Sequence, residues 1–187
     1  MKKARSAPSP VLIAVDLSIH GPSVLKEGFR EAKSRKAPAL VLHVIDDRFP
    51  YPDLYSLGHP DSNFYKTLRK DALGQLKQWI NAAGDRDAPE FLIVWGKPSA
   101  TILEVARERN PQLLVIGAHG LTEPRHAHTI GGTVERVSRE TPCSILIVFS
   151  ATGILREAHI VPSGLVLKET TATTGKTPIL TRGNEPP

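Results

Sequence analysis

The stretch from Leu113 to Phe149 limits what this chain can become more than any other. It runs Leu-Leu-Val-Ile-Gly-Ala-His-Gly, then a polar loop. Gly-Gly-Thr-Val-Glu-Arg-Val and Pro-Cys-Ser-Ile-Leu-Ile-Val-Phe follow. An apolar run bounded by glycine reads as a buried strand, and glycines three apart read as a tight backbone cradle. The second glycine pair, with a hydroxyl residue after it, reads as the N-terminus of a short helix, and a second apolar run closes the unit. A strand, a cradle, a helix N-terminus and a strand in that order predict an α/β architecture with its site at this turn.

The rest of the chain repeats the alternation. Val11-Leu-Ile-Ala-Val15 predicts a first buried strand ending at Asp16. Gly21-Pro22-Ser23 opens a helix with Val24, Leu25, Phe29 and Ala32 on its apolar face, ending near Lys36. Ala39–Ile45 is a second strand. It is followed by a long connection rich in Pro, Tyr and Asp that reaches Asp61 or Ser62, either of which suits a helix cap. Leu68, Ala72, Leu76, Trp79, Ile80 and Ala83 recur at helical spacing up to Gly84. Phe91–Trp95 is a third strand, and Ser99 is the expected cap of a helix over Ala100–Arg109. Leu113–Ile116 is a fourth strand, Thr133–Arg139 a fourth helix and Ser144–Phe149 a fifth strand. Strand and helix alternate throughout, which predicts a mostly parallel open sheet covered by helices on both faces.

Residues 1–9 are expected to form a disordered leader, 10–150 the folded domain and 151–187 a flexible, largely disordered C-terminal extension. Within that extension Ile160-Val161 or Leu165–Leu167 could pair with a sheet edge.

Composition narrows the function classes. With 187 residues, 40% of them hydrophobic and only 5% aromatic, the chain has enough Val, Ile, Leu and Ala for one helix–sheet core. No apolar run approaches the roughly 20 residues that span a bilayer. No signal-peptide pattern precedes the first strand, so a cytoplasmic protein without membrane attachment is expected. The formal charge of +5 is scattered and makes no basic stripe interleaved with aromatics, which argues against specific nucleic-acid binding. A single cysteine, Cys143, forms no internal disulfide; it reads as a small buried residue. His43, in an apolar strand, reads as a satisfied core histidine. His126 and His128 lack an evident third metal ligand, and Asp46-Asp47 reads as a solvated loop start. No Ser-His-Asp spacing, catalytic carboxylate pair or Walker lysine is present, so no catalytic residue is assigned.

In an open doubly wound sheet, ligands bind beyond the carboxyl ends of the strands where the order reverses. With strands one and four as central neighbours, Asp16 and Gly117 emerge there together. Gly120, Gly132 and Thr133 would offer backbone and a hydroxyl to an anion at a helix N-terminus.

These segments, taken as a set, resemble the universal stress protein family. Val11-Leu-Ile-Ala-Val-Asp16-x-Ser18 is similar to its first strand, and Leu40-Val-Leu-His43-Val44 to its second. Gly96-Lys-Pro98 followed by Ile102-Leu103 is similar to its third-strand turn and helix. Leu113–Gly120, Gly132-Thr133-Val134 and Thr141–Val148 resemble its C-terminal signature. The resemblance covers residues 10–149. It implies a five-strand sheet in the order 3-2-1-4-5, a Rossmann-like fold of the adenine nucleotide alpha hydrolase type, and frequent homodimers through the last strand. It also implies a regulatory adenine nucleotide, ATP first, with Mg²⁺ as an optional companion. Asp16 would lie against ribose or base and the backbone near Val44 against adenine. Gly117, Gly120, Gly132, Thr133 and Val134 would surround the phosphates, His119 would shape the loop or touch the ligand, and Arg125 in the intervening loop would supply charge.

ATP-binding members carry Gly-x-x-Gly, nine residues, then Gly-Ser/Thr. Here eleven residues separate Gly120 from Gly132. Two other readings remain: a nucleotide-free dimeric interaction scaffold of the same fold, and a true α/β hydrolase or nucleotidyl enzyme using Asp16 and His119.

Overall fold

The structure is a computed structural model that describes residues 8–47, 62–83, 89–120, 130–151, 154–161 and 164–171. Its elements are β1 (Val11–Ala14), α1 (Gly21–Arg35), β2 (Ala39–Asp46), α2 (Ser62–Ala83), β3 (Glu90–Gly96), α3 (Pro98–Arg109), β4 (Leu113–Gly117) and α4 (Gly132–Glu140). Three further strands follow: β5 (Ser144–Ala151), β6 (Ile154–Val161) and β7 (Gly164–Thr171). The sheet order is β3-β2-β1-β4-β5-β6-β7. The first five strands are parallel and reproduce the expected 3-2-1-4-5 order.

Alternation along each strand sorts the core into two layers, because successive side chains point to opposite faces. Val11 and Ile13 of β1, with Val15 just past its end, pack with Val24, Leu25 and Phe29 of α1 and Leu76 and Ile80 of α2. Leu12 and Ala14 face the other way, onto Ile102, Leu103 and Ala106 of α3 and Val134 and Val137 of α4. A strand buried on both faces must be apolar at every position, which is why β1, β4 and β5 read as unbroken runs.

Two local details differ from the sequence reading. The N-cap of α3 is Lys97, not Ser99; Pro98 takes the first helical position, where its missing N–H costs nothing, and Ser99 falls inside the first turn. Ahead of it Gly96 sits at φ +152°, and a Cβ there would stand 2.7 Å from Thr101 Oγ1, so the β3–α3 turn needs glycine. The capping of α2 by Asp61 and its ending at Gly84 lie outside the described residues.

The sheet also runs two strands beyond the five expected. β6 pairs antiparallel with β5 from Ile145↔Ile160 to Ala151↔Ile154, and β7 pairs antiparallel with β6. Both short apolar patches of the extension, Ile160-Val161 and Leu165–Leu167, fall inside these strands. The outer edge of β5, expected as a dimer edge, is therefore paired within the chain.

Candidate functional site

A cleft of about 330 Å³ opens beyond the carboxyl ends of β1, β2 and β4. Ala14 is opposite Ile116 in the β1–β4 register, so the residues that follow each strand emerge side by side. Its lining combines apolar side chains, Leu42, Val44, Ile102 and Ile116 among them, with Asp16, His119, Gly120, Gly131 and Thr133.

Asp16 is held by its own turn. Its Oδ1 accepts hydrogen bonds from Ser18 N–H at 3.2 Å and Ser18 Oγ at 2.6 Å. Ser18 Oγ in turn accepts from His20 N–H at 3.2 Å, carrying the chain into α1. Asx and Ser turns of this kind replace ladder bonds where a strand ends. The other carboxylate oxygen faces Gly120: a Cβ on Gly120 would lie 3.1 Å from Asp16 Oδ2. Glycine at 120 thus keeps open the space in front of the carboxylate.

Behind Asp16 stands His43. It is 6% exposed, and its Nδ1 lies 2.9 Å from the Val15 carbonyl oxygen. A carbonyl can only accept, so Nδ1 donates. Burial lowers the imidazole pKa below its ordinary 6.5, opposed by the Val15 bond and the charge of Asp16. The satisfied core histidine of the sequence reading is found as such, and it also lines the cleft.

The far side is the start of α4. Gly131 is its N-cap, without a side-chain cap, and Gly131 N–H donates to the Ala118 carbonyl at 2.8 Å. That bond folds the helix start back over β4. The first N–H groups of a helix have no intrahelical acceptor and attract an anion. Thr133 and Val134 of this first turn line the cleft. The His119 ring, which lines the cleft, sits 6.4 Å from that of His20 and 6.3 Å from that of Phe149.

Of the residues singled out in sequence, Asp16, Val44, Gly117, His119, Gly120, Thr133 and Val134 come together around the cleft. Gly132 begins α4, but its neighbour Gly131 takes the cleft-lining position. Arg125 lies outside the described residues. His43, Asp46 and Ile102 line the cleft without having been expected to. Asp46 had a signal, since it follows a strand whose carboxyl end had been placed at the site. The only charged residues in the described lining are Asp16 and Asp46, histidines aside. No cluster of three potential metal ligands occurs among the described residues. Cys143 is half-buried, its thiol pushed up by desolvation and 3.5 Å from Thr141 Oγ1, at the base of β5 and away from the cleft.

The universal stress protein family model matches residues 9–148, three-quarters of the chain. The chain belongs to the universal stress protein family. A universal stress protein of Thermus aquaticus is 27% identical over 138 residues, covering 74% of this chain and 96% of the relative. The solved universal stress protein UspA of Lactobacillus plantarum superposes with a TM-score of 0.60 at 25% identity, over 76% of this chain and 98% of that one. A solved universal stress protein in complex with cAMP shares the fold at a TM-score of 0.53 and 19% identity, over 78% of this chain and all of that one. In this universal stress protein the family match ends at 148, so β6 and β7 lie past the matched region.

Proposed function

We propose that this universal stress protein binds an adenine nucleotide, ATP before others, in the cleft between β1, β2 and α4, as a regulatory ligand in a stress response. The observation that carries the reading is the pairing of two features across one opening. Asp16 Oδ2 faces the space kept clear by Gly120, and the start of α4 lies opposite. A carboxylate suits a ribose hydroxyl or an exocyclic amine, both donors. A helix N-terminus suits phosphate. The apolar wall between them, Leu42, Val44, Ile102 and Ile116, suits a flat base. The cAMP complex of a related fold supports the choice of ligand class, since cAMP and ATP share adenine, ribose and phosphate.

In this reading Asp16 contacts ribose or base, and Val44 contacts adenine. Gly117, His119, Gly120, Gly132, Thr133 and Val134 surround the phosphates, with Arg125 adding positive charge from the loop. Mg²⁺ would be brought by the phosphates. No residue is assigned as catalytic. A cytoplasmic homodimer belongs to the same proposal, with its strand contact moved away from the β5 edge that β6 occupies. Titration of the full chain with a fluorescent ATP analogue tests the reading: saturable binding is expected, and none at millimolar ligand would overturn it.

Two observations favour a second reading, a nucleotide-free interaction module. The glycine spacing is eleven residues rather than nine, and no Lys or Arg lines the described part of the cleft. Nucleotide released from the purified, denatured protein favours the first reading; its absence, with no binding on titration, favours the second.

A further inference from the structure

β1 leaves the ladder one residue before the carboxylate it delivers. Val15 N–H still donates to the Leu42 carbonyl at 2.9 Å, but the strand ends at Ala14. The Val15 carbonyl turns instead to a side chain, His43 Nδ1, 28 residues away. Asp16 follows directly. Its backbone is therefore fixed from behind by the imidazole and its carboxylate from in front by Ser18. We propose that His43 is a positioning residue of the cleft: its Nδ1–H holds the Val15 carbonyl and so aims Asp16 Oδ2 at the ligand space before Gly120.

Two consequences follow from the chemistry. The neutral ring must be the Nδ1–H tautomer, because a carbonyl cannot donate. An Asn at 43, whose amide can mimic the Nδ1–H side of imidazole, can keep the bond; a Leu of similar bulk cannot. The ionisable side chains that line the cleft beside the ring are Asp16, two residues past β1, Asp46 on β2 itself and His119 after β4. Of these, Asp16 is the one whose charge acts on the ring.

The proposal rests on the nucleotide reading only for its ligand, so the test has one arm with ligand and one without. In the ligand-free arm, NMR of the full chain should show the Nδ1–H tautomer at His43. Hydrogen exchange should show the Ser18 and His20 N–H groups, both donors in the Asp16 turn, protected in wild type and H43N but fast in H43L. A wild-type Nε2–H tautomer, or unchanged protection in H43L, overturns the proposal whether or not nucleotide binds. In the other arm the fluorescent ATP analogue should bind H43N within a few-fold of wild type and H43L about tenfold more weakly, the size expected for losing one bond that orients a charged contact. Equal affinity of H43L and wild type overturns it as well. If wild type itself binds no analogue, the nucleotide reading falls and the ligand-free arm still decides the role of His43. Should H43L fail to fold, the wild-type tautomer and the H43N exchange pattern decide it.

Discussion

The two ends of the parallel sheet are built on opposite terms, and α1, α3 and α4 show this at their own termini. At the amino end of the strands the helices finish closed. Lys36 adopts a left-handed conformation at φ 52° so that Lys36 and Ala37 N–H groups reach Lys33 and Ala32 carbonyls. Asn110 does the same at φ 43°, donating to Ala106. Gln112 ties its backbone N–H to Pro10 and its side chain to Ser9. At the carboxyl end the same three helices begin open: His20, Lys97 and Gly131 are N-caps without a side-chain cap hydrogen bond. A Ser, Thr or Asp cap would contribute about 1 kcal/mol at each. The N–H groups at these starts turn to backbone instead where they pair, Gly21 to the Ser18 carbonyl, Ser23 to His20 and Gly131 to Ala118, and Pro98 at the start of α3 has no N–H to cap. In the proposed reading one end of the fold carries stability and the other recognition, and substitutions at each should separate the two properties.

The largest effect belongs to the buried middle that both ends share. Leu114 is 0% exposed at the centre of the sheet, packed toward α3 and α4. Leu114→Ala should cost about 2–5 kcal/mol of stability, seen as a fall in thermal midpoint, through lost transfer energy and the cavity left behind. The affinity of the remaining folded protein for nucleotide should not change. A loss of affinity matching the loss of stability would break the separation.

Asp16→Asn should do the reverse. Asn retains an acceptor for the Ser18 donors, so the turn and the thermal midpoint should survive. It replaces the charged oxygen that faces Gly120 with an amide. Charged hydrogen bonds contribute about 1.5–3 kcal/mol, so the ATP analogue should bind at least about tenfold more weakly. Unchanged affinity would place the ligand elsewhere.

Gly120 of the cradle and Gly132 at the start of α4 sharpen the point, because the structure separates two glycines that were both expected to face an anion. A Cβ at 120 meets Asp16 Oδ2 at 3.1 Å, whereas one at 132 meets nothing within 4 Å. Gly120→Ala should weaken the analogue a few-fold, through a crowded carboxylate. Gly132→Ala keeps its N–H and restricts the unfolded chain, so it should stabilise by about 0.4–1 kcal/mol and leave affinity alone. Chemical denaturation with parallel titrations checks both. Equal effects at 120 and 132 would remove the distinction.

The layers of the fold were legible because burial on both faces leaves a plain mark: Val11–Val15, Leu113–Ile116 and Ser144–Val148 admit almost no polar residue. Strand ends were legible too, which is how Asp16, Gly117 and Gly120 could be placed near one another. Contacts between distant residues were not. His43 reads as one more apolar-strand position until Val15, 28 residues earlier, is seen to need a donor. The cap of α3 was misplaced because Ser99 is the better N-cap by type, while Pro98 settles the helix start by its fixed φ. β6 and β7 were only half visible. Arg156, Glu157, Lys168 and Glu169 interrupt their apolar patches, and only the register shows Arg156 opposite Glu169 and Glu157 opposite Lys168. A strand pattern broken in this way gives no clean alternation to read, so the pairing was not legible in the sequence.

The smallest expected effect lies at the closed end. Arg109, in the last turn of α3, pairs with Glu90 at the start of β3, and both side chains are largely exposed. Water screens such a pair and two long side chains must be ordered to form it, so Arg109→Ala should cost under about 1 kcal/mol. The difference from wild type should shrink further in about 1 M salt, where the screening length falls to roughly 3 Å. Nucleotide affinity should not move, since the pair stands at the opposite end of the strands from the cleft. A loss above about 2 kcal/mol that persisted in high salt would mean that this end is held by its surface charge. The closure would then not come from the left-handed caps and the ties of Gln112 to Ser9 and Pro10, and the contrast between the two ends would need a different physical cause.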